Sequence, residues 1–178
     1  MAKQKKRIIL TGAQGTGKTT LMNALATDGT KTLSIAREHA IEAGWSPETG
    51  SSEEYQKKLF SALHKAVSSK KNYISDRGLT CVAAYTFDGA LSGSIKESVA
   101  NSQYMKLHKF HSENPDVLVV YLPIEFPLEE DGIRDVDEAN QRKMDFLIKN
   151  LLDTIGIKYI TVTGTVEERV KQIEAALN

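Results

Sequence analysis

The run Gly12-Ala13-Gln14-Gly15-Thr16-Gly17-Lys18-Thr19-Thr20 carries the pattern G-x-x-x-x-G-K-[ST], a residue set suited to gripping a polyphosphate. Glycines let the backbone turn its N–H groups inward, the following helix adds the partial positive charge of its N-terminus, and Lys18 neutralises the β/γ oxygens of a nucleotide. Thr19 is placed to hold Mg²⁺. The flanks supply the context the loop needs. Arg7-Ile8-Ile9-Leu10 reads as a short buried strand leading in, and Leu21 to Leu25 as a helix leading out.

Two acid–base pairs are the next chemistry-bearing groups. Arg37-Glu38 follows the apolar run ending at Ile35, and Asp76-Arg77 follows Asn72-Tyr-Ile-Ser75. Carboxylates and guanidiniums at neighbouring strand ends suit phosphoryl transfer: one acid for Mg²⁺ or its waters, one for an acceptor hydroxyl, and arginines for the phosphoryl charge. The competing reading is a pair of ordinary salt bridges at strand ends. Further on, Gly132 and Arg134 in Glu129-Glu130-Asp131-Gly132-Ile133-Arg134-Asp135 give the composition of a lid that swings an arginine over the nucleotide. Arg142 is either a second cation or a solvated helix charge. Thr163-Gly164-Thr165, after the last strand, stands where adenine would be cradled by backbone groups. Trp45 and Tyr85 are candidates for an acceptor pocket, with core packing the alternative for each. His108 and His111 share a helix face with Tyr104, but no third metal ligand accompanies them.

Positioning these groups requires alternating strands and helices, and the apolar periodicity supplies them. After the loop and its helix, Thr32 to Ile35 reads as strand two, Arg37 to Ala43 as a helix and Gly44-Trp45-Ser46-Pro47 as a break. Ser52 caps a long helix to about Ser69 whose buried stripe is Tyr55, Leu59, Ala62, Leu63 and Ala66. Strand three is Asn72 to Ser75, ending at Asp76. Helices are expected over Leu79 to Ala90 and Ile95 to about His111, then a β-branched strand from Val117 to Tyr121 at the sheet centre. A lid over about 123–136, a helix from Asp137 to Ile155, a strand from Tyr159 to Val162 and a helix from Thr165 to Leu177 complete one domain spanning 1–178.

Bulk composition narrows the partners. The chain of 178 residues carries 23 basic and 23 acidic residues, so bulk charge does not mark a polyanion binder. Lys3-Gln4-Lys5-Lys6-Arg7 reads as the solubilising flank of the first strand. The lone Cys81 excludes an internal disulfide and fits a reducing compartment. No run approaches the length of a membrane span, so a cytoplasmic location without membrane attachment is expected. An Asn-Lys-x-Asp guanine reader is missing, Leu91-Ser-Gly-Ser94 falls short of a transporter signature loop, and no length is left for a ring ATPase's lid domain. Exclusion leaves a small kinase.

The phosphate loop, Ala36-Arg37-Glu38, Asp76-Arg77, Asp131-Gly132-Ile133-Arg134 with Gln141-Arg142, and the tail Tyr159 to Val170 together resemble the small P-loop ATPase/kinase family. That family is related to the ribosylnicotinamide kinase domain of bacterial NAD-biosynthesis regulators. The two pairs are also similar to those of thymidylate and deoxynucleoside kinases. The resemblance implies an α/β P-loop NTPase with a five-stranded parallel sheet in order 2-3-1-4-5, helices on both faces and an Arg-bearing lid. It assigns Glu38 as first choice for acceptor base and Asp76 for magnesium support, with exchange of the two roles open. Asp76-Arg77 replaces the acid-rich turn of ribosylnicotinamide kinase, so nicotinamide riboside is not the expected acceptor, and Arg77 suits one carrying its own phosphate.

The leading expectation is an ATP- and Mg²⁺-dependent kinase acting on a nucleoside, nucleotide or related nucleobase compound. Its catalytic set is Lys18, Glu38, Asp76, Arg77 and Arg134. The nucleotide set is Gly12 to Thr20 with Arg134 and Thr163 to Thr165, the acceptor set Arg37, Glu38, Trp45, Arg77 and Tyr85, and the metal set Thr19 and Asp76. Two alternatives stay open. One is a kinase acting on a hydroxymethylated pyrimidine in DNA, supported by Lys57, Lys58, Lys70 and Lys71. The other is a regulatory ATP-binding module without an acceptor. Oligomeric state is not legible.

Overall fold

The computed structural model describes residues 6–27, 29–44, 46–69, 71–128 and 137–177. Arg7–Thr11 forms β1, buried along its whole length, and Lys18–Leu25 forms α1 directly after the glycine loop. Lys31–Leu33 is β2 and Ile35–Glu42 is α2. This corrects the expected strand over 32–35. The Arg37 and Glu38 amides both donate to the Ser34 carbonyl at 3.0 Å, so the chain turns helical two residues earlier than its apolar pattern suggests. The expected break at Pro47 is one helical turn, α3 (Pro47–Gly50).

α4 (Glu53–Val67) starts where the capping signal places it: the Ser52 hydroxyl accepts from the Tyr55 amide at 3.2 Å. β3 (Tyr73–Asp76) ends at the aspartate, as expected, and starts one residue later than Asn72. α5 (Leu79–Leu91), α6 (Glu97–Glu113), β4 (Leu118–Tyr121), α7 (Glu138–Ile155), β5 (Tyr159–Thr161) and α8 (Val166–Leu177) follow within a residue or two of the pattern. Asp137 caps α7, and a left-handed Gly156 ends it.

The sheet has five parallel strands in the order β2-β3-β1-β4-β5, with Leu10 opposite Asp76 and Thr11 opposite Tyr121. Order reverses beside β1, and in open α/β sheets a crevice forms at the carboxyl ends of the strands at that point. Two apolar layers cover the sheet. Ile9, Tyr73 and Val119 pack with α4, α5, α6 and α7, whereas Ile8, Leu10, Ile74 and Val120 pack with α1 and α8. The helices thus lie on both faces, as the α/β reading requires.

One expectation about the surface fails. Arg7 is no solubilising charge: it is 2% exposed, paired with Asp116 and donating to the Asn114 side chain at 3.0 Å. The strand's first side chain points inward beneath the C-terminus of α6. Burying an unpaired guanidinium would be prohibitive, and these two acceptors make the position tolerable.

Candidate functional site

The glycine loop crosses the carboxyl end of β1, and its backbone shows why the glycines are there. Gly12 has φ +145°, and a Cβ on it would lie 2.4 Å from the Leu122 carbonyl oxygen. Gly17, the N-cap of α1, sits at φ +84°. Left-handed residues at these points turn the amides toward the hollow of the loop. Lys18 is 5% exposed and donates to the Ala13 carbonyl and, at 3.1 Å, to the Thr16 hydroxyl. The cradle is therefore preformed, with its ammonium folded into it.

The next contact joins two elements that the sequence had to bring together. The Thr19 hydroxyl, at the start of α1, donates to the Asp76 carboxylate at the end of β3. Asp76 is 9% exposed, and the neighbouring Arg77 amide donates to the Leu10 carbonyl at 3.1 Å, fixing the strand tip to β1. Arg77 has φ +96°, a left-handed conformation without a glycine's freedom. Such residues cost of order 1–3 kcal/mol and cluster at functional sites. Its guanidinium lies near Tyr85 on α5. Burial pulls its pKa down, but Tyr85, Cys81 and Asp76 together outweigh that and hold it above the ordinary value. The same charge opposes the rise that burial imposes on the Tyr55 hydroxyl. Arg77 at the tip of β3 thus lies close to Tyr55 of α4 and Tyr85 of α5.

Other expected residues stand apart. Arg37 and Glu38 are exposed on the first turn of α2, and neither makes a side-chain hydrogen bond or ion pair among the described residues. Their helix is fastened by His39, whose ring lies 4.7 Å from that of Tyr55. Trp45 and Arg134, with the rest of 129–136, lie outside the described residues. Arg142 takes the solvated reading, pairing with Glu138 at 3.4 Å. The half-buried rings of Phe87 and Tyr104 pack edge to face at 6.3 Å, and among the described residues no three His, Cys, Asp or Glu cluster as metal ligands. Lys57 and Lys58 pair with Glu53 and Glu54 at 3.9 and 2.6 Å. A groove of about 840 Å³ between α4 and α6, floored by Phe60 and Phe110, contains none of the loop residues.

The loop after β5 departs from a simple backbone cradle. Thr163, Gly164 and Thr165 each donate their amide to a side chain of the protein itself: Gln172, Glu125 and Glu168, at 3.3, 3.1 and 2.8 Å. Thr165 and Glu168 form a reciprocal capping box for α8.

Three residues at the site escaped the sequence reading of roles. Gln141 on α7 is 3% exposed and donates to the Gln14 carbonyl at 2.8 Å. One turn on, Asp145 accepts from the Tyr121 hydroxyl at 2.8 Å. Burial raises its pKa, while Tyr121, the Ala13 amide and the Lys18 charge pull it down, which places this carboxylate beside the loop. Arg169 on α8 is 3% exposed and donates to the Thr16 carbonyl at 2.8 Å. A polar residue inside an apolar stripe is the legible signal for both buried ones: Gln141 precedes Met144, Ile148 and Leu152, and Arg169 precedes Ile173.

The profile of the AAA-domain family matches residues 7–169, from the first residue of β1 into α8. The chain belongs to the AAA-domain family. No curated protein matches it in sequence. Among solved structures, this AAA-domain chain is similar to NadR protein in complex with NAD and AMP-PNP, with a TM-score of 0.70 and 14% identity over 97% of this chain. The chain spans about half of that protein, 49%. It is also similar to deoxyadenosine kinase from M. mycoides with bound dATP, with a TM-score of 0.69 and 16% identity over 97% of this chain and 99% of that one. A third likeness is to YorR protein from Bacillus subtilis in complex with phosphorylated GDP, with a TM-score of 0.63 and 17% identity over 97% and 95% of the two chains. These likenesses show the fold: an α/β P-loop NTPase of the kind found in these proteins.

Proposed function

We propose that this AAA-domain protein is an ATP-dependent kinase that transfers the γ-phosphoryl group to a nucleoside, nucleotide or related nucleobase compound. The observation that carries the reading is the Thr19–Asp76 contact, which sets a carboxylate from the neighbouring strand at the foot of the phosphate cradle. The described geometry, together with neighbours that include a deoxyadenosine kinase, supports donor and acceptor sites on the two sides of β1.

In this reading the loop amides and Lys18 hold the triphosphate, and Lys18 leaves the Ala13 carbonyl to meet it. Thr19 and Asp76 offer a hydroxyl and a carboxylate side by side, a hard oxygen set that fits Mg²⁺ and would hold it. Bound there, the ion would neutralise the β and γ oxygens. In this reading Arg77 steadies the acceptor from beside Tyr55 and Tyr85, while the roles assigned to Arg37 and Trp45 are acceptor binding and that of Arg134 is charge on the transferred phosphoryl group. As the acceptor oxygen bonds to the γ-phosphorus, the bond to the β–γ bridging oxygen breaks, and Glu38 takes the acceptor's proton. ADP leaves. Thr163 to Thr165 face the donor's base.

Lys18→Ala tests the reading. Phosphoryl transfer from γ-labelled ATP to a panel of nucleosides, monophosphates and modified DNA is expected to fall by at least about 10²-fold while the circular dichroism spectrum is unchanged. A wild-type protein that binds ATP yet labels no acceptor would instead make it a regulatory module.

A further inference from the structure

Arg169 is buried beside the phosphate loop, yet its bonds run in two directions. Nη1 donates to the Thr16 carbonyl at 2.8 Å, and Nη2 pairs with the Glu125 carboxylate. A Cβ on Gly17 would come within 3.2 Å of Nη1, so the loop passes the guanidinium about as closely as a glycine allows. Glu125 in turn accepts from the Gly164 amide with both oxygens, at 3.1 and 3.2 Å. Phe126 lays its ring 5.6 Å from the guanidinium carbon and is 51% exposed. Arg169 and Glu125 together thus join the loop at Thr16, the segment after β4 and the β5–α8 turn at Gly164.

A lysine could not do this, because only a planar fork offers two acceptors parallel donors in fixed directions. Two of the joined stretches are the two halves of the donor site proposed above. Thr16 and Gly17 belong to the part of the loop that meets phosphate, and Gly164 belongs to the turn assigned to the base. The Arg169 Nε is also buried without a hydrogen-bond partner among the described residues, which a helix side chain placed only for stability would have little reason to accept.

We infer that Arg169 is a positioning residue of the donor site, and that the Arg169–Glu125–Gly164 bridge holds the polyphosphate cradle and the base-facing turn as one unit. This rests on the donor-site reading given above. Its consequence is that the affinity of ATP in excess of that for its triphosphate alone depends on the bridge.

The test compares binding of ATP and of inorganic tripolyphosphate to the full chain by calorimetry, with thermal unfolding recorded for every variant. In Glu125→Gln the Thr16 contact remains while the bridge loses its charge, so tripolyphosphate affinity is expected to hold and the ATP advantage to shrink by at least about tenfold. Arg169→Lys should lose the same advantage, and adding it to Glu125→Gln should cost nothing further in the ratio. An ATP-to-tripolyphosphate ratio unchanged in Glu125→Gln and Arg169→Lys, or two affinities that fall together with the unfolding temperature, overturns the inference and leaves the kinase reading standing. Should Arg169→Lys fail to fold, the ratio in Glu125→Gln decides alone. Wild-type protein that binds neither probe overturns the donor site and the inference together.

Discussion

Thr19 and Asp76 lie 57 positions apart and meet through a single proton, so a substitution at either separates metal handling from nucleotide gripping. Thr19→Val keeps the shape and removes the oxygen. Nucleotide affinity without Mg²⁺ should stay close to wild type, whereas the gain produced by adding Mg²⁺ should fall by at least about tenfold, read by titration with and without chelator. An undiminished Mg²⁺ gain would move the metal elsewhere. The loop's course was legible because glycine, lysine and a hydroxyl at fixed spacing carry their own mechanism, and the position of Asp76 because it closes a strand pattern; their roles are for the experiments above to test. Glu38 was legible only as a type of residue at a strand end, and its exposure on α2 leaves its role to experiment. Arg169 was legible only as a polar residue in an apolar stripe, and its place at the loop was not: its partners Thr16 and Glu125 lie 153 and 44 positions away, beyond any local pattern.

At the scale of elements, α7 is the helix that leads out of the segment assigned to the lid, and Gln141 is where it touches the loop. Its amide reaches the Gln14 carbonyl from a fully packed position, and Gly15 offers no side chain to block it. Gln141→Leu removes this bond, with an expected loss of about 0.5–1.5 kcal/mol of stability, measured as a shifted denaturant midpoint at constant slope. A midpoint that does not move would show the contact to be incidental. Helix limits followed from capping chemistry where a cap exists, as at Ser52 and Asp137. The β2–α2 boundary was misplaced because edge strand β2 is only half-buried and its three residues, Lys31, Thr32 and Leu33, carry almost no periodicity. The Arg7 error has the same origin: a basic residue after three lysines looks solvated until Asp116 is brought beneath it.

Taken as a whole molecule, the chain half-buries two imidazoles around Phe110: His111 on α6 itself and His64 on α4. Burial pushes the His111 pKa down to about 4, and burial with the Lys106 charge also lowers that of His64. In the unfolded chain both would take a proton below about 6.5, whereas folded His111 stays neutral until near 4. Protons therefore favour unfolding across that window, and stability present above it is lost as pH falls through it. His111→Gln should flatten the decline in unfolding temperature between pH 6.5 and 4 relative to wild type, and an unaltered slope would contradict the assignment.

Both helical layers could be anticipated because alternating strands and helices admit few chain paths, whereas the sheet order came from the resemblance to small P-loop kinases. What could not be anticipated is how the layers meet at the loop. Gln141 comes from the face that also carries α4, α5 and α6, and Arg169 from the face formed with α1. The hinge of the molecule's chemistry is thus bolted from above and below the sheet, so neither layer can shift against β1 without the hollow between them changing shape.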